Sequence, residues 1–276
     1  MPPVNFGQVL ELLGVGLLAG TVGGMLGVGG GVVMIPAMVI FLGDRYGPNS
    51  LHLYKLAAIA TSVFVSIPAA ARHLRARAVL TAMLPAILPA ATVGTVVGVW
   101  VAGHFFQAEQ TRILRRIFGV FLEFVVAVQL YQDWLAGQGE RSLRRSCPLP
   151  SRRLLIGGSV GLPTGLIAGL LGVGGGIWNV PVQYLLFGVR LRYAIATSSF
   201  VVVFVSAVTT IVQSWSVAHL PGLSLHASVP LVGWLVPGAL VGGWCGAELT
   251  HRLPVRWLRY AFGALLALSG LRLILP

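Results

Sequence analysis

Charge is what this chain has least of. Only 9% of its 276 residues are Asp, Glu, Lys or Arg, and just 7 of those are acidic. A typical soluble domain carries about 25%. Hydrophobic residues make up 56%, and the mean hydropathy is +0.87. That shortage excludes an ordinary soluble domain and predicts an all-helical, polytopic membrane protein. Cysteine is also scarce. Of the 2 present, Cys147 lies in a basic central segment and Cys245 inside an apolar run, so no disulfide framework is expected. No His/Cys/Asp cluster has metal-ligand spacing, so neither metal nor cofactor is expected. Ser224 and His226 have no Gly-x-Ser-x-Gly elbow around them, so an enzyme is not expected either. No Lys or Arg precedes the first apolar run, which argues against a cleaved signal peptide and for retention of that run.

The formal net charge is nevertheless +12. Its arginines sit in short segments between apolar runs, where the positive-inside rule accounts for them, so nucleic acid is not an expected partner.

What the chain has in abundance is glycine, and it is concentrated in two matching stretches. Gly20 to Gly31 and Gly165 to Gly176 share the core Leu-Gly-Val-Gly-Gly-Gly, at Leu26 to Gly31 and Leu171 to Gly176. Gly27 aligns with Gly172, and Pro36 with Pro181. So dense a run of glycine cannot continue a helix, because each costs about 1 kcal/mol against Ala. Apolar residues flank both runs, so a helix is predicted to break inside an apolar environment, twice and at matching places. A nucleotide phosphate loop would need Gly-Lys-Ser/Thr after the glycines, which neither copy has. A dinucleotide fingerprint would need Gly at Val32 and Ile177.

Taken in order, Val9 to Leu26 is an apolar run that the first glycine knot interrupts. Val32 to Leu42 is too short to cross a bilayer, which takes about 20 residues. Spans are expected at Leu51–Ala71, Val79–Val101 (kinked at Pro85 and Pro89) and Ile113–Leu130. The polar segment Asp133–Arg153 separates the halves. Leu154–Leu171 then leads into the second knot, Ile177–Phe187 is again short, and spans follow at Tyr193–Val212, Val229–Cys245 and Leu258–Leu275. Further echoes support a repeat. Ala58-Ile-Ala-Thr-Ser62 matches Ala194-Ile-Ala-Thr-Ser198, Pro89-x4-Gly94-x3-Gly98 matches Pro237-x4-Gly242-x3-Gly246, and Leu114-Arg-x-x-Phe-Gly119 matches Leu258-Arg-x-x-Phe-Gly263. The expected division is an N-terminal repeat over 1–132, a basic cytoplasmic linker over 133–153 and a C-terminal repeat over 154–276.

Each half then holds one broken hairpin and three further spans. Three crossings leave the second half inverted relative to the first. Charge agrees, since Arg72–Arg77, Asp133–Arg153, Arg190/Arg192 and Glu248–Arg256 all fall on one side, expected to be cytoplasmic. Both termini are expected outside. Arg112, Arg115 and Arg116 are the exception, left to snorkel or to pair with Glu109.

Inverted repeats with broken helices at matching positions point to a secondary transporter. A helix starting within the membrane directs unpaired N–H groups and about half a positive charge at whatever lies there. Glycines let the backbone close on an anion. Gly27, Gly29, Gly30 and Gly31, with Gly172, Gly174, Gly175 and Gly176, are therefore the candidate anion ligands. The bland alternative is that these glycines only let helices pack closely. Thr61, Ser62, Thr197, Ser198 and Ser199 are candidates to complete the hydrogen bonding, against a reading in which they bond back to their own helices. Asn179 and Gln183 follow the second knot, where the first half has Met34 and Met38. They are candidate contacts, with Trp178 either a pocket wall or packing. Glu123 lies within a span, where a carboxylate is a functional candidate for proton coupling or else a structural pair. Glu11, Lys55, Arg72 and His73 lie near span ends and are expected at the interface, where His73 is a weak candidate pH sensor.

The paired Gly-x-x-Gly-Val-Gly-Gly-Gly-x-x-x-x-Pro motifs, Gly24–Pro36 and Gly169–Pro181, together with the Ala-Thr-Ser stretches at Ala60–Ser62 and Ala196–Ser198, resemble the TauE/SafE family. That is the sulfite and organosulfonate exporter group, also called the toluene-sulfonate uptake permease family. The likeness runs from about Gly7 to Leu275. It implies a bacterial inner-membrane carrier of small sulfur oxyanions or sulfonates such as sulfite or sulfoacetate. The family pattern leaves direction and coupling open. Trp178-Asn179 facing Val33-Met34 is a departure between the two halves. The expected partners are a small anion and the lipid bilayer, with a homodimer left open. The expected function is alternating-access transport, with an anion channel at the same site as the alternative.

Overall fold

A computed structural model describes residues 6–26, 29–43, 50–106, 110–137, 153–219, 226, 228–252 and 255–275. Gly27, Glu109, Cys147, Ser224 and most of the 133–153 linker lie outside the described residues. Among those described there are ten helices, counting Arg153–Leu171 as one. They are α1 (Phe6–Leu26), α2 (Gly31–Leu42), α3 (Ser50–Arg75), α4 (Leu84–Phe105), α5 (Thr111–Gly137), α6 (Arg153–Leu171), α7 (Gly176–Leu185), α8 (Leu191–His219), α9 (Ser228–Arg252) and α10 (Val255–Ile274). A 3-10 turn, Thr81–Met83, leads into α4.

Six of these helical runs are long and apolar enough to cross a membrane: α1, α3, α4 with its leading turn, α6, α8 and α9. The protein is a multi-pass membrane protein. The expected spans within α5 and α10 are not among the six. Both helices include residues whose side chains lie outside the described set, and the six are counted among the described residues. α5 also continues to Gly137, past the expected start of the polar link at Asp133, and α8 runs on to His219.

The helices pair crosswise between the halves. α1 lies along α9, α4 along α6, α3 along α8, and α5 along α10. The central pair is α3 and α8. Leu53, Tyr54, Ala57, Ala58 and Ile59 of α3 and Ala194, Ala196, Val201 and Val202 of α8 are all buried. α9 also packs on α3, and α4 on α8. α2 and α7 are the short second limbs of the broken hairpins, docked on α3 and α8 respectively.

The flanking pairs are close because glycine lines them. In α1–α9, a Cβ on Gly24 would lie 2.6 Å from the Gly243 carbonyl, and one on Gly242 would collide with the Leu17 carbonyl. In α4–α6, a Cβ on Gly98 would lie 2.5 Å from the Leu166 carbonyl, and one on Gly165 would collide with the Ala91 carbonyl. Small residues repeating every four positions let helix backbones touch. The close-packing reading is therefore right for the glycines upstream of each knot, and it accounts for the Pro-x4-Gly-x3-Gly echo in α4 and α9.

The two ends of the bundle differ. At one end the chain after α3 is tied to the start of α8 by the Leu80 N–H donating to Thr197 Oγ1 at 3.0 Å, and Arg72, Arg75, Arg77 and Arg192 are exposed there. At the other end α4 and α8 finish together. A Cβ on Gly103 would lie 3.0 Å from Ser216 Oγ, and exposed Trp100 and Trp215 stand beside His104 and His219.

Candidate functional site

The two glycine breaks meet. α6 ends at Leu171, and Gly172 caps it in the left-handed region at φ 78°, its N–H donating to the Ala168 carbonyl at 2.8 Å. Gly175 (φ 71°) then starts α7, so the chain reverses within a few residues. Only glycine adopts these angles freely. A Cβ on Gly175 would also sit 2.5 Å from Thr164 Cγ2 and from the Thr164 carbonyl oxygen. In the first break Gly29 is at φ 81° and Gly30 starts α2. A Cβ on Gly31 would lie 2.8 Å from the Gly172 carbonyl oxygen and 3.3 Å from Val173 Cα, so the knots are in direct contact. All of Gly29–Gly31 and Gly172–Gly176 are buried.

Both short helices begin without a side-chain cap. The first carbonyls are used normally. Val33 and Met34 donate to the Gly30 carbonyl at 3.1 and 3.0 Å, and Trp178 and Asn179 to the Gly175 carbonyl, both at 3.2 Å. The N–H groups of Gly31, Val32, Gly176 and Ile177 precede those donors and have no partner within the helix by its geometry. Two uncapped helix starts thus occur in the buried centre of the bundle.

The side chains around them divide. Ser62 lies on the first knot, 3.6 and 3.5 Å from where a Cβ on Gly29 or Gly31 would stand, and its hydroxyl donates to the Ala58 carbonyl at 2.8 Å. Ser198 reaches the second knot, its hydroxyl donating to the Gly176 carbonyl at 3.4 Å. Thr61 and Ser199 donate back to the Ala57 and Ile195 carbonyls at 2.8 and 2.9 Å. Thr197 accepts from the Leu80 N–H, so it anchors a loop. The hydroxyls are therefore largely engaged by their own chain, as Ser and Thr within helices tend to be.

Asn179 and Gln183 are both 0% exposed. The Gln183 Nε2 donates to Asn179 Oδ1, which leaves Asn179 Nδ2 and Gln183 Oε1 buried with no hydrogen-bond partner. An orphaned amide donor one turn into α7 is costly unless something binds it. Trp178 turns elsewhere. Its indole donates to the Ser159 carbonyl at 3.0 Å and its ring stacks on Phe124 at 6.3 Å. Pro163 has no N–H to give that carbonyl four residues back, and the π-helical turn Gly157–Gly161 occurs at the same place. Glu123 lies on α5 where it meets α10. Its Oε1 is buried without a partner, 2.6 Å from where a Cβ on Gly270 of α10 would be.

One expectation fails here. Lys55 is not interfacial. It is 1% exposed, its Nζ has no partner, and its Cβ and Cγ lie 2.9 and 3.1 Å from where a Cβ on Gly172 would stand. It sits only two turns into α3, near a span end as expected, but the second knot covers it. Thr164, buried with an unpartnered Oγ1 beside Gly175, was likewise not singled out by the sequence. The signal that could have found Lys55 is its rarity, since it is the sole lysine of the chain.

Long apolar helices with buried helix breaks between them define a multi-pass membrane protein. The particular family follows from comparison with known sequences. The model of the family described as "Sulfite exporter TauE/SafE" matches residues 12–273, and the chain belongs to that family. The family is one of membrane transporters, not enzymes. The chain is 29% identical over 295 residues to the probable membrane transporter protein MamO of Magnetospirillum gryphiswaldense, covering 97% of this chain and 45% of that one. It thus spans less than half of that relative. The probable membrane transporter protein YunE of Bacillus subtilis is 27% identical, with 95% and 96% of the two chains covered. A probable membrane transporter protein of Haemophilus influenzae is 26% identical over 98% and 99%. No solved structure matches the chain significantly.

Proposed function

We propose that this protein is a secondary carrier of a small oxyanion, most specifically sulfite or an organosulfonate, working by alternating access. The anion is held between the two glycine knots. The observation that carries this reading is the contact of Gly31 with Gly172, which brings two uncapped helix starts together at the buried centre. Their free N–H groups and partial positive charges suit a small anion. The orphaned Asn179 Nδ2 adds a side-chain donor, and Ser62 and Ser198 are close enough to add hydroxyls by rotating away from their present carbonyl partners.

The two halves, 1–132 and 154–276, act as inverted repeats. What supports this is the crosswise packing, in which α1 on α9 has its counterpart in α6 on α4, and α9 on α3 in α4 on α8. Two such halves rocking about the central α3–α8 pair would expose the knots to either side in turn. The arginine end of the bundle is cytoplasmic by the positive-inside rule, which leaves the Trp100/Trp215 end outer. Glu123 remains the candidate for proton coupling. It lies on the α5–α10 pair, beside Phe124, which stacks on Trp178, so the coupling we propose acts through helix movement.

The test is counterflow of sulfite in proteoliposomes. Sulfite preloaded inside is expected to accelerate uptake of labelled sulfite. Uptake without trans-acceleration would make the protein a channel, and no uptake of sulfite or sulfonates would remove the substrate assignment.

A further inference from the structure

We infer that Lys55 is the counter-charge of the bound anion, which makes the site select fully anionic cargo over zwitterions. This rests on the reading that the knots hold an anion. The chain builds every other basic side-chain charge, histidine aside, from arginine and has one lysine, and that lysine is buried. Its ammonium has no hydrogen-bond partner, and the carbons of its stem pack on Gly172, the residue through which the knots touch. One turn before it, His52 is also buried. Its Nε2 lies 2.9 Å from the Phe106 carbonyl, so that nitrogen donates, and its Nδ1 has no partner. Among the described residues no carboxylate hydrogen-bonds to Lys55.

An uncompensated ammonium in a dry interior is strongly unfavourable, so a buried lysine holds its charge only when something pairs with it. Among the described residues nothing does. The partner we assign to it is a ligand that is negative and small enough to reach the second knot. Two helix starts and an orphaned amide donor belong to the same pair of touching knots, and the lysine adds the full charge they lack. The same cation repels an ammonium, so a sulfonate that carries its own amine, such as taurine, is a poorer fit than sulfite or sulfoacetate. An arginine would bring a rigid fork of five donors, whereas lysine gives one compact charge that fits under a tight glycine turn.

The experiment measures thermal stability and sulfite affinity of the purified full-length chain, with Lys55→Met and Lys55→Arg variants. Wild type is expected to be stabilised by sulfite and sulfoacetate and not by taurine. Lys55→Met should melt at or above the wild-type temperature in the absence of anion, because it removes a buried unpaired charge, and should lose roughly 10- to 100-fold in sulfite affinity. Lys55→Arg should retain more affinity than Lys55→Met. Unchanged affinity in Lys55→Met, a lower anion-free melting temperature, equal losses in both variants, or equal stabilisation by taurine would each overturn the assignment. If wild type itself binds no anion, the knot site falls and this inference with it, whereas wild-type binding that survives in Lys55→Met removes the lysine alone.

Discussion

The two hairpins share a backbone plan and differ in what they present. Each pairs a long glycine-lined helix with a short one starting at a buried glycine, and each short helix carries a proline at the same place, Pro36 and Pro181. Yet the first turn of α2 presents Val33 and Met34, followed by Met38, while that of α7 presents Trp178 and Asn179, followed by Gln183. Met34 and Met38 are buried and fill space, the former close to Gly30. Asn179 and Gln183 are equally buried but leave a donor and an acceptor unused. Lys55 and Thr164 also stand at the second knot. The doubled architecture supplies two helix ends, but the polar chemistry has gathered on one of them. A symmetric frame with an asymmetric lining suits a carrier whose small cargo needs only a few specific contacts.

That contrast can be broken by substitution. The largest effect is expected at Gly175→Ala. It forces a left-handed angle on a side chain and drives a Cβ against the Thr164 backbone, which together should destabilise by about 2–4 kcal/mol. Gly29→Ala meets only the side chains of Val202 and Ser62, the closer at 3.3 Å, so its cost should be nearer the angle penalty of about 1–2 kcal/mol. Thermal melts of the two variants in detergent compare the knots directly. Equal destabilisation would mean that Thr164 yields.

Next in size is Asn179→Leu against Met34→Leu. Removing the free amide should weaken sulfite binding by about 1 kcal/mol, or roughly fivefold. Met34→Leu should leave binding intact and cost less than about 1.5 kcal/mol of stability. Calorimetric titration with sulfite distinguishes them, and a larger binding loss in Met34→Leu would reverse the assignment of polar and packing halves. Smaller still is Glu123→Gln, expected to leave sulfite affinity unchanged while flattening the pH dependence of proteoliposome uptake. An affinity change would bring Glu123 into the site, and an unaltered pH profile would end its coupling role. Smallest is Ser62→Ala, whose hydroxyl already donates to the Ala58 carbonyl, with an expected loss in sulfite affinity of a few tenths of a kcal/mol.

The helix breaks were legible in the sequence because glycine density is a local signal. Leu26–Gly31 and Leu171–Gly176 state where the chain must turn, and the short runs after them state that the turn is internal. The short-range repeats were legible too, down to Pro89-x4-Gly94-x3-Gly98. What that echo was for was not, since it took the α4–α6 and α1–α9 pairings to show that these glycines serve helix contact while those of the knots serve the turn. Burial is a property of the assembled bundle. Lys55 reads as interfacial because it stands near the start of a helix, and only the packing of Gly172 across it puts it inside. Trp178 reads as either a pocket wall or packing from its place beside the knot, and the choice is made by Pro163, fifteen residues earlier, which leaves the Ser159 carbonyl open to the indole. Hydroxyls on α3 and α8 were found through the internal repeat, and the alternative reading, in which they bond back to their own helices, is what Thr61, Ser62 and Ser199 do.

The decisive measurement is an anomalous-scattering map from crystals soaked in selenite, a heavier analogue of sulfite. Selenium density is expected between Gly29–Gly31 and Gly174–Gly176, within hydrogen-bond reach of the N–H groups that open α2 and α7. Density confined to the bundle's ends, or none at the knots in a preparation that transports selenite, would contradict the account.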